Sequence, residues 1–218
     1  MQLGGGLALY GISDALMLAA GLGADPWDVL HQGLSRRTGI PVGTWAIIVG
    51  AAVLLLWIPI RQRPGVGTLS NVLVIGAVIN IGLAVLPSPN SLVVQVPMLL
   101  TGVILNGVAT GAYIGAGLGP GPRDGLMTGL AARGHSIRVV RTAIEVTVLL
   151  SGFLLGGTVG AGTLVYALAI GPLAHAFIPM LAVRARVHAG PRSARGARVR
   201  DRAGRRRVAP PPARSPRP

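Results

Sequence analysis

The 218-residue chain contains no cysteine and no lysine; all twenty of its basic residues are arginine. Without cysteine there is no disulfide framework, no thiolate metal ligand and no thiol nucleophile. Without lysine there is no P-loop, whose lysine must reach the phosphates, and no Schiff-base chemistry. Acids are scarce, six in all, and aromatic residues make up only 4%. Acids so dispersed assemble no Ser/His/Asp order, no nucleophile elbow and no carboxylate pair, so no catalytic residue is expected and the chain does not read as an enzyme. His31, His135 and His188 show no metal-ligand spacing with each other or with carboxylates, and the reading expects no metal and no other cofactor.

What the chain does have is apolar length. Half of it is hydrophobic, only 12% is charged and the mean hydropathy is +0.63, a combination that belongs to membrane proteins. The net charge of +14 sits mostly at one end: residues 184–218 hold twelve arginines and one acid, giving +11, while residues 1–183 carry +3. The reading therefore divides the chain into a membrane domain, 1–183, and an Arg- and Pro-rich tail, 184–218. The tail has almost nothing to bury and is expected to be disordered, cytoplasmic and in contact with anionic lipid headgroups. It lacks aromatic residues for base stacking, so nucleic acid is not an expected partner.

Six apolar runs approach the length needed to cross about 30 Å of hydrocarbon. They are 3–22, 44–60, 69–86, 96–116, 139–157 and 164–183. The first has no basic flank and contains Asp14, so it reads as a span and not as a cleaved signal peptide. Arginines follow spans 2, 4 and 6 and are missing after spans 3 and 5, which places both termini on the cytoplasmic side of a bacterial inner membrane. Arg36 and Arg37, after span 1, violate that pattern.

The violation coincides with a repeat. "GLGADPWDVLHQGLSRR" (21–37) returns as "GLGPGPRDGLMTGLAAR" (117–133), with nine of seventeen residues identical. Further on, "GVGTLSNVLVIGAVINIGLAVL" (65–86) aligns with "GAGTLVYALAIGPLAHAFIPML" (160–181). The halves, 1–87 and 97–183, then hold three spans each, and an odd number per half turns the second half upside down relative to the first. The expected fold is all-α and polytopic: six transmembrane helices in two inverted three-helix repeats. Arg37 and Arg133 become equivalent residues on opposite faces.

Each motif copy ends a span with Gly-Leu-Gly, and Pro26 or Pro122 keeps the residue before it out of helical geometry. Asp28 and Asp124 are expected to cap the short helices 29–37 and 125–133. These are too short to span and read as re-entrant or interfacial half-helices, whose positive ends face a shared substrate path or merely join two spans at a corner. Arg123, which replaces Trp27 in the second copy, either attracts an anion or pairs with Asp124 or Glu145.

Gly107, Gly111 and Gly115 form a smooth ridge in span 4, matched by Gly11, Ala15 and Ala19 in span 1, so these two spans are expected to pack closely against each other. Polar residues inside the spans complete the candidates for a substrate path. Asp14 is either a proton or cation site or a protonated packing residue. Arg141 and Glu145 stand one helical turn apart as an ion pair. Asn80 and His175 are repeat mates near mid-span, suited either to a site on the pseudo-axis or to interhelical hydrogen bonding.

The motifs "AGLGADPWDVLHQGLSRRTGIPVGT", "GTLSNVLVIG", "GPGPRDGLMTGL", "VRTAIEV", "GGTVGAGTL" and "IGPL" resemble those of the bacterial YczE/YyaS/YitT-like integral membrane proteins, across residues 3–181. The resemblance implies a polytopic inner-membrane protein of a family with no settled biochemical activity, sometimes discussed as transporter-like, with no catalytic residues to carry over. The expected function is export or uptake of a small polar or anionic solute by alternating access between the halves, with the lipid bilayer as partner and room for a homo-oligomer. The alternative is a non-transporting scaffold for a partner complex.

Overall fold

The computed structural model describes residues 1–182; the expectations for the tail lie outside them. Eight helices follow in order: α1 Gln2–Ala20, α2 Pro26–Thr38, α3 Val42–Leu55, α4 Val66–Val85, α5 Leu92–Gly115, α6 Pro122–Ala131, α7 Ile137–Leu154 and α8 Ala161–Leu181. The described residues contain no strand. Four of the helices, α1, α4, α5 and α8, are long and apolar enough to cross a membrane. Taken together, α2 and α3 form a fifth candidate, bent by 115° at the break between them.

The other two expected spans are weaker. Helix α3 has 14 residues, about 21 Å at 1.5 Å per residue, and does not cross the hydrocarbon alone. Helix α7 has 18 residues but carries Arg138, Arg141 and Glu145.

Helix boundaries follow the glycines and prolines. Gly21 ends α1 at φ 71° and Gly117 follows α5 at φ 67°; Gly23 and Gly119 turn the chain again at φ 103° and 119°. Residues with a Cβ rarely adopt this left-handed backbone, which explains why Gly-Leu-Gly occurs in both copies. Pro26 and Pro122 then open α2 and α6 at their first position, where a missing N–H costs nothing. One expectation is corrected here. The caps are Asp25 and Gly121, and Asp28 and Asp124 lie three residues inside, because each helix begins at its proline.

Lipid gives helices no hydrophobic reason to associate, so close packing must come from small residues. A Cβ on Gly107 or Gly111 would come within 2.6–2.7 Å of Leu173 or Phe177 of α8, and one on Gly115 would strike Leu181. The glycine ridge of α5 thus receives α8, and not α1 as its spacing suggested. The matching face of α1 receives α4: Gly11 lies against Ile75 and Val78, and Ala15 against Gly82. Helices α1 and α5 do pack closely against each other, as expected, but through Gly6 against Tyr113 and Gly102 against Ser13 and Met17.

Repeat mates make matched contacts in the opposite half. The Gly67 N–H donates to the Leu118 carbonyl at 2.9 Å, and its mate Gly162 donates to Leu22, the mate of Leu118, at 2.8 Å. Arg37 Nε donates to the Leu155 carbonyl just past α7, and Arg133 Nη2 to the Pro59 carbonyl beyond α3. Both arginines satisfy orphan carbonyls near a neighbouring helix end, the role cations take at the negative end of a helix.

The main core gathers Leu7, Met17, Ile79, Leu99 and Val103 from α1, α4 and α5. A second cluster holds Trp27, Val53, Trp57, Leu126 and Met127, where the half-helices meet α3 and the turn after it. Leu73, Ile81, Val85, Leu164 and Leu168 are exposed, as lipid-facing residues of spans would be.

Candidate functional site

The two half-helices begin near one another, and Arg123 ties their starts together. Its Nη1 donates to Asp25 Oδ2 at 3.1 Å, its Nη2 donates to the Tyr10 hydroxyl at 2.6 Å, and the guanidinium lies over the Tyr10 ring, 5.5 Å from its centroid. The sequence offered Asp124 and Glu145 as partners for Arg123; the partner is Asp25, the cap of the opposite half-helix. Asp25 Oδ1 accepts from the Asp28 N–H at 2.8 Å, so one carboxylate both caps α2 and holds the arginine.

Around this pair runs a buried polar network. Asp14, only 1% exposed, accepts at Oδ1 from Asn106 Nδ2 at 2.8 Å. Asn106 also donates to Ser13 Oγ and accepts from the Tyr166 hydroxyl. Asp28 Oδ1 lies 3.3 Å from His31 Nδ1. The Tyr113 hydroxyl donates to Asp124 Oδ2 at 2.6 Å, and Tyr10 and Tyr113 pack edge to face. Two buried polar atoms have no partner among the described residues: Trp27 Nε1 and Asp28 Oδ2.

Two cavities open on this network. The smaller, about 60 Å³, is lined by Asp14, Asp28, His31 and Asn71, with apolar residues of α3 and α4. The larger, about 200 Å³, is lined by Asp25, Asp124, Arg141, Glu145 and the three tyrosines, and it has room for several waters. Trp27 and Arg123 line both and form the wall between them. These two residues are repeat mates, the position at which the motif copies differ most in chemistry. All five acids among the described residues, and all three tyrosines of the chain, line one cavity or the other.

Of the residues singled out in the sequence, Asp14, Pro26, Asp28, Pro122, Arg123, Asp124, Arg141 and Glu145 line the cavities. Arg141 Nε donates to Glu145 Oε1 at 2.9 Å, the pair their spacing implied. Arg37 and Arg133 stand apart from the cavity lining, on their carbonyls. Asn80 accepts from the Gly43 N–H and donates to Thr44 Oγ1, securing the start of α3, and His175 is exposed. This pair therefore does not line a shared site.

Sequence reasoning passed over Asp25, Asn106 and the tyrosines. Asp25 had a signal, an aspartate directly before a proline that opens a helix. Asn106 and Tyr166 had none beyond rarity, since they meet across 60 positions.

An all-helical bundle with apolar outer faces and a polar interior is an integral membrane protein. The family model described as "Family of unknown function (DUF6198)" matches residues 3–179, and the chain belongs to that family. It is 42% identical to an uncharacterized protein of Haemophilus influenzae over 177 residues, 81% of each chain. It is 34% identical to the uncharacterized membrane protein YczE of Bacillus subtilis, over 72% of this chain and 74% of that one. Identity to YyaS of the same bacterium is 29%, over 83% and 92%. These are the relatives the sequence motifs pointed to. No solved structure matches the chain.

Proposed function

We propose that this protein is a transporter-like membrane protein that moves a small polar solute through the larger cavity, by alternating access between two inverted halves with both termini cytoplasmic. The observation that carries the reading is where the scarce polar residues go. An ionised side chain at mid-membrane costs about 2.5–3.5 kcal/mol, and a scaffold would have no reason to spend all five acids on internal cavities. The larger cavity presents Arg123 and Arg141 beside Asp25, Asp124 and Glu145, which suits a solute bearing groups of both signs better than a simple anion.

The matched contacts of repeat mates support the inverted arrangement. So does the double duty of Trp27 and Arg123 as the wall between cavities, since alternating access needs a barrier on the pseudo-axis.

The absence of cysteine makes the test direct. Thr38→Cys at the end of α2 and Ala132→Cys just past α6 are both at exposed positions. A membrane-impermeant maleimide on intact cells is expected to label one and spare the other, with lysed cells labelling both. Labelling of both from the same side overturns the inverted repeat and the transport reading built on it.

A further inference from the structure

We propose that Asp14, Asp25 and Asp28 form a binding site for a hard divalent cation. The three are distant from any metal motif, and histidine spacing gave no hint of them. Yet each offers a carboxylate oxygen, and these oxygens lie within 4.8 Å of one another. Oxygens bound to one ion at about 2.1–2.4 Å can stand no further apart than about 4.2–4.8 Å, so the trio already has the dimensions of a coordination sphere.

Local structure does not account for all three. Asp25 is used as a cap and as the partner of Arg123. Asp14 has no cap to make, in the body of α1. Asp28 is 2% exposed, and its Oδ2 has no hydrogen-bond partner among the described residues. A buried carboxylate oxygen left bare beside two further carboxylates points to a positively charged ligand.

Charge and ligand type then narrow the choice. Three carboxylates against the single guanidinium of Arg123 leave two negative charges, which one divalent ion neutralises. An all-oxygen donor set selects magnesium, calcium or manganese over zinc or copper. Each carboxylate is also held by an outer partner, Asn106 for Asp14, Arg123 for Asp25 and His31 for Asp28, as ligands of a built site are. Asp14 and Asp28 line the smaller cavity, which provides the way in. The proposal deepens the transport reading by naming its coupling ion, but binding is measurable without transport.

The test is a titration of the purified full-length protein in detergent with Mn²⁺, in choline chloride at constant ionic strength, following loss of the free-ion paramagnetic resonance signal. One Mn²⁺ per chain is expected, displaced by Mg²⁺ or Ca²⁺. Affinity should fall about tenfold or more in Asp28→Asn and Asp14→Asn, and remain unchanged in His175→Gln. No saturable binding by the wild type, or equal binding by the aspartate variants, overturns the site. Thermal stabilisation by Na⁺ without Mn²⁺ binding overturns the divalent assignment. Should a variant not fold, the wild-type titration still decides. Opposite-face labelling at Thr38 and Ala132 with no Mn²⁺ binding would reject this site and leave the transport reading standing.

Discussion

Asp25 serves two elements with one carboxylate, and its two roles can be separated. Asparagine caps a helix as well as aspartate does but cannot neutralise Arg123. Asp25→Asn is therefore expected to lose the ion pair alone, while Asp25→Ala also loses the cap, at a further cost of about 1 kcal/mol. Removing one member of a buried pair costs about 3–5 kcal/mol; Arg123, whose side chain keeps 26% of its exposure, should sit at the lower end. Thermal unfolding in detergent should rank wild type above Asp25→Asn and Asp25→Ala lowest. Trp27 offers the contrary case. Its buried Nε1 has no partner, so Trp27→Phe gives up packing but no hydrogen bond and should cost less than about 1.5 kcal/mol. A larger loss would mean that Nε1 is satisfied by a bound group.

Among the elements, the half-helices were legible in outline because glycine and proline mark their ends unambiguously. Their first residues were misplaced by three because the aspartate inside each motif looked like the cap, when the proline before it already opens the helix. The small-residue ridges were equally visible, yet periodicity reports only that a face is smooth and not which helix lies on it. That limit is testable at Gly111, where a Cβ would stand 2.7 Å from the Phe177 backbone. Gly111→Ala gains about 1 kcal/mol in helix propensity and loses about 1–3 to overpacking, so its unfolding temperature should fall. Gly5→Ala, on an open face of α1, carries no such penalty and should be neutral or more stable. If both variants behave alike, α8 does not lie on the ridge of α5.

At the scale of the whole molecule, the repeat announces the pairing of halves and the mated Asp28 and Asp124, but hides the rest of the site, which is built from positions where the two copies differ. Trp27 stands where its mate is Arg123, Tyr10 where its mate is Asn106, and Asp14 where its mate is Thr110. Each half alone is incomplete: the arginine comes from the second and the aspartate trio from the first, and they meet only when α2 and α6 converge. If the halves alternate as proposed, opening one cavity closes the other. Asn71→Cys reports on the smaller cavity and Thr110→Cys on the larger. With Mn²⁺ added, a small impermeant thiol reagent should label one of these more slowly and the other faster, since a cation held at Asp14, Asp25 and Asp28 favours one state over its opposite. Rates that change in the same direction at both positions would mean that the ion merely tightens the bundle, and that Trp27 and Arg123 form a fixed partition and not a gate.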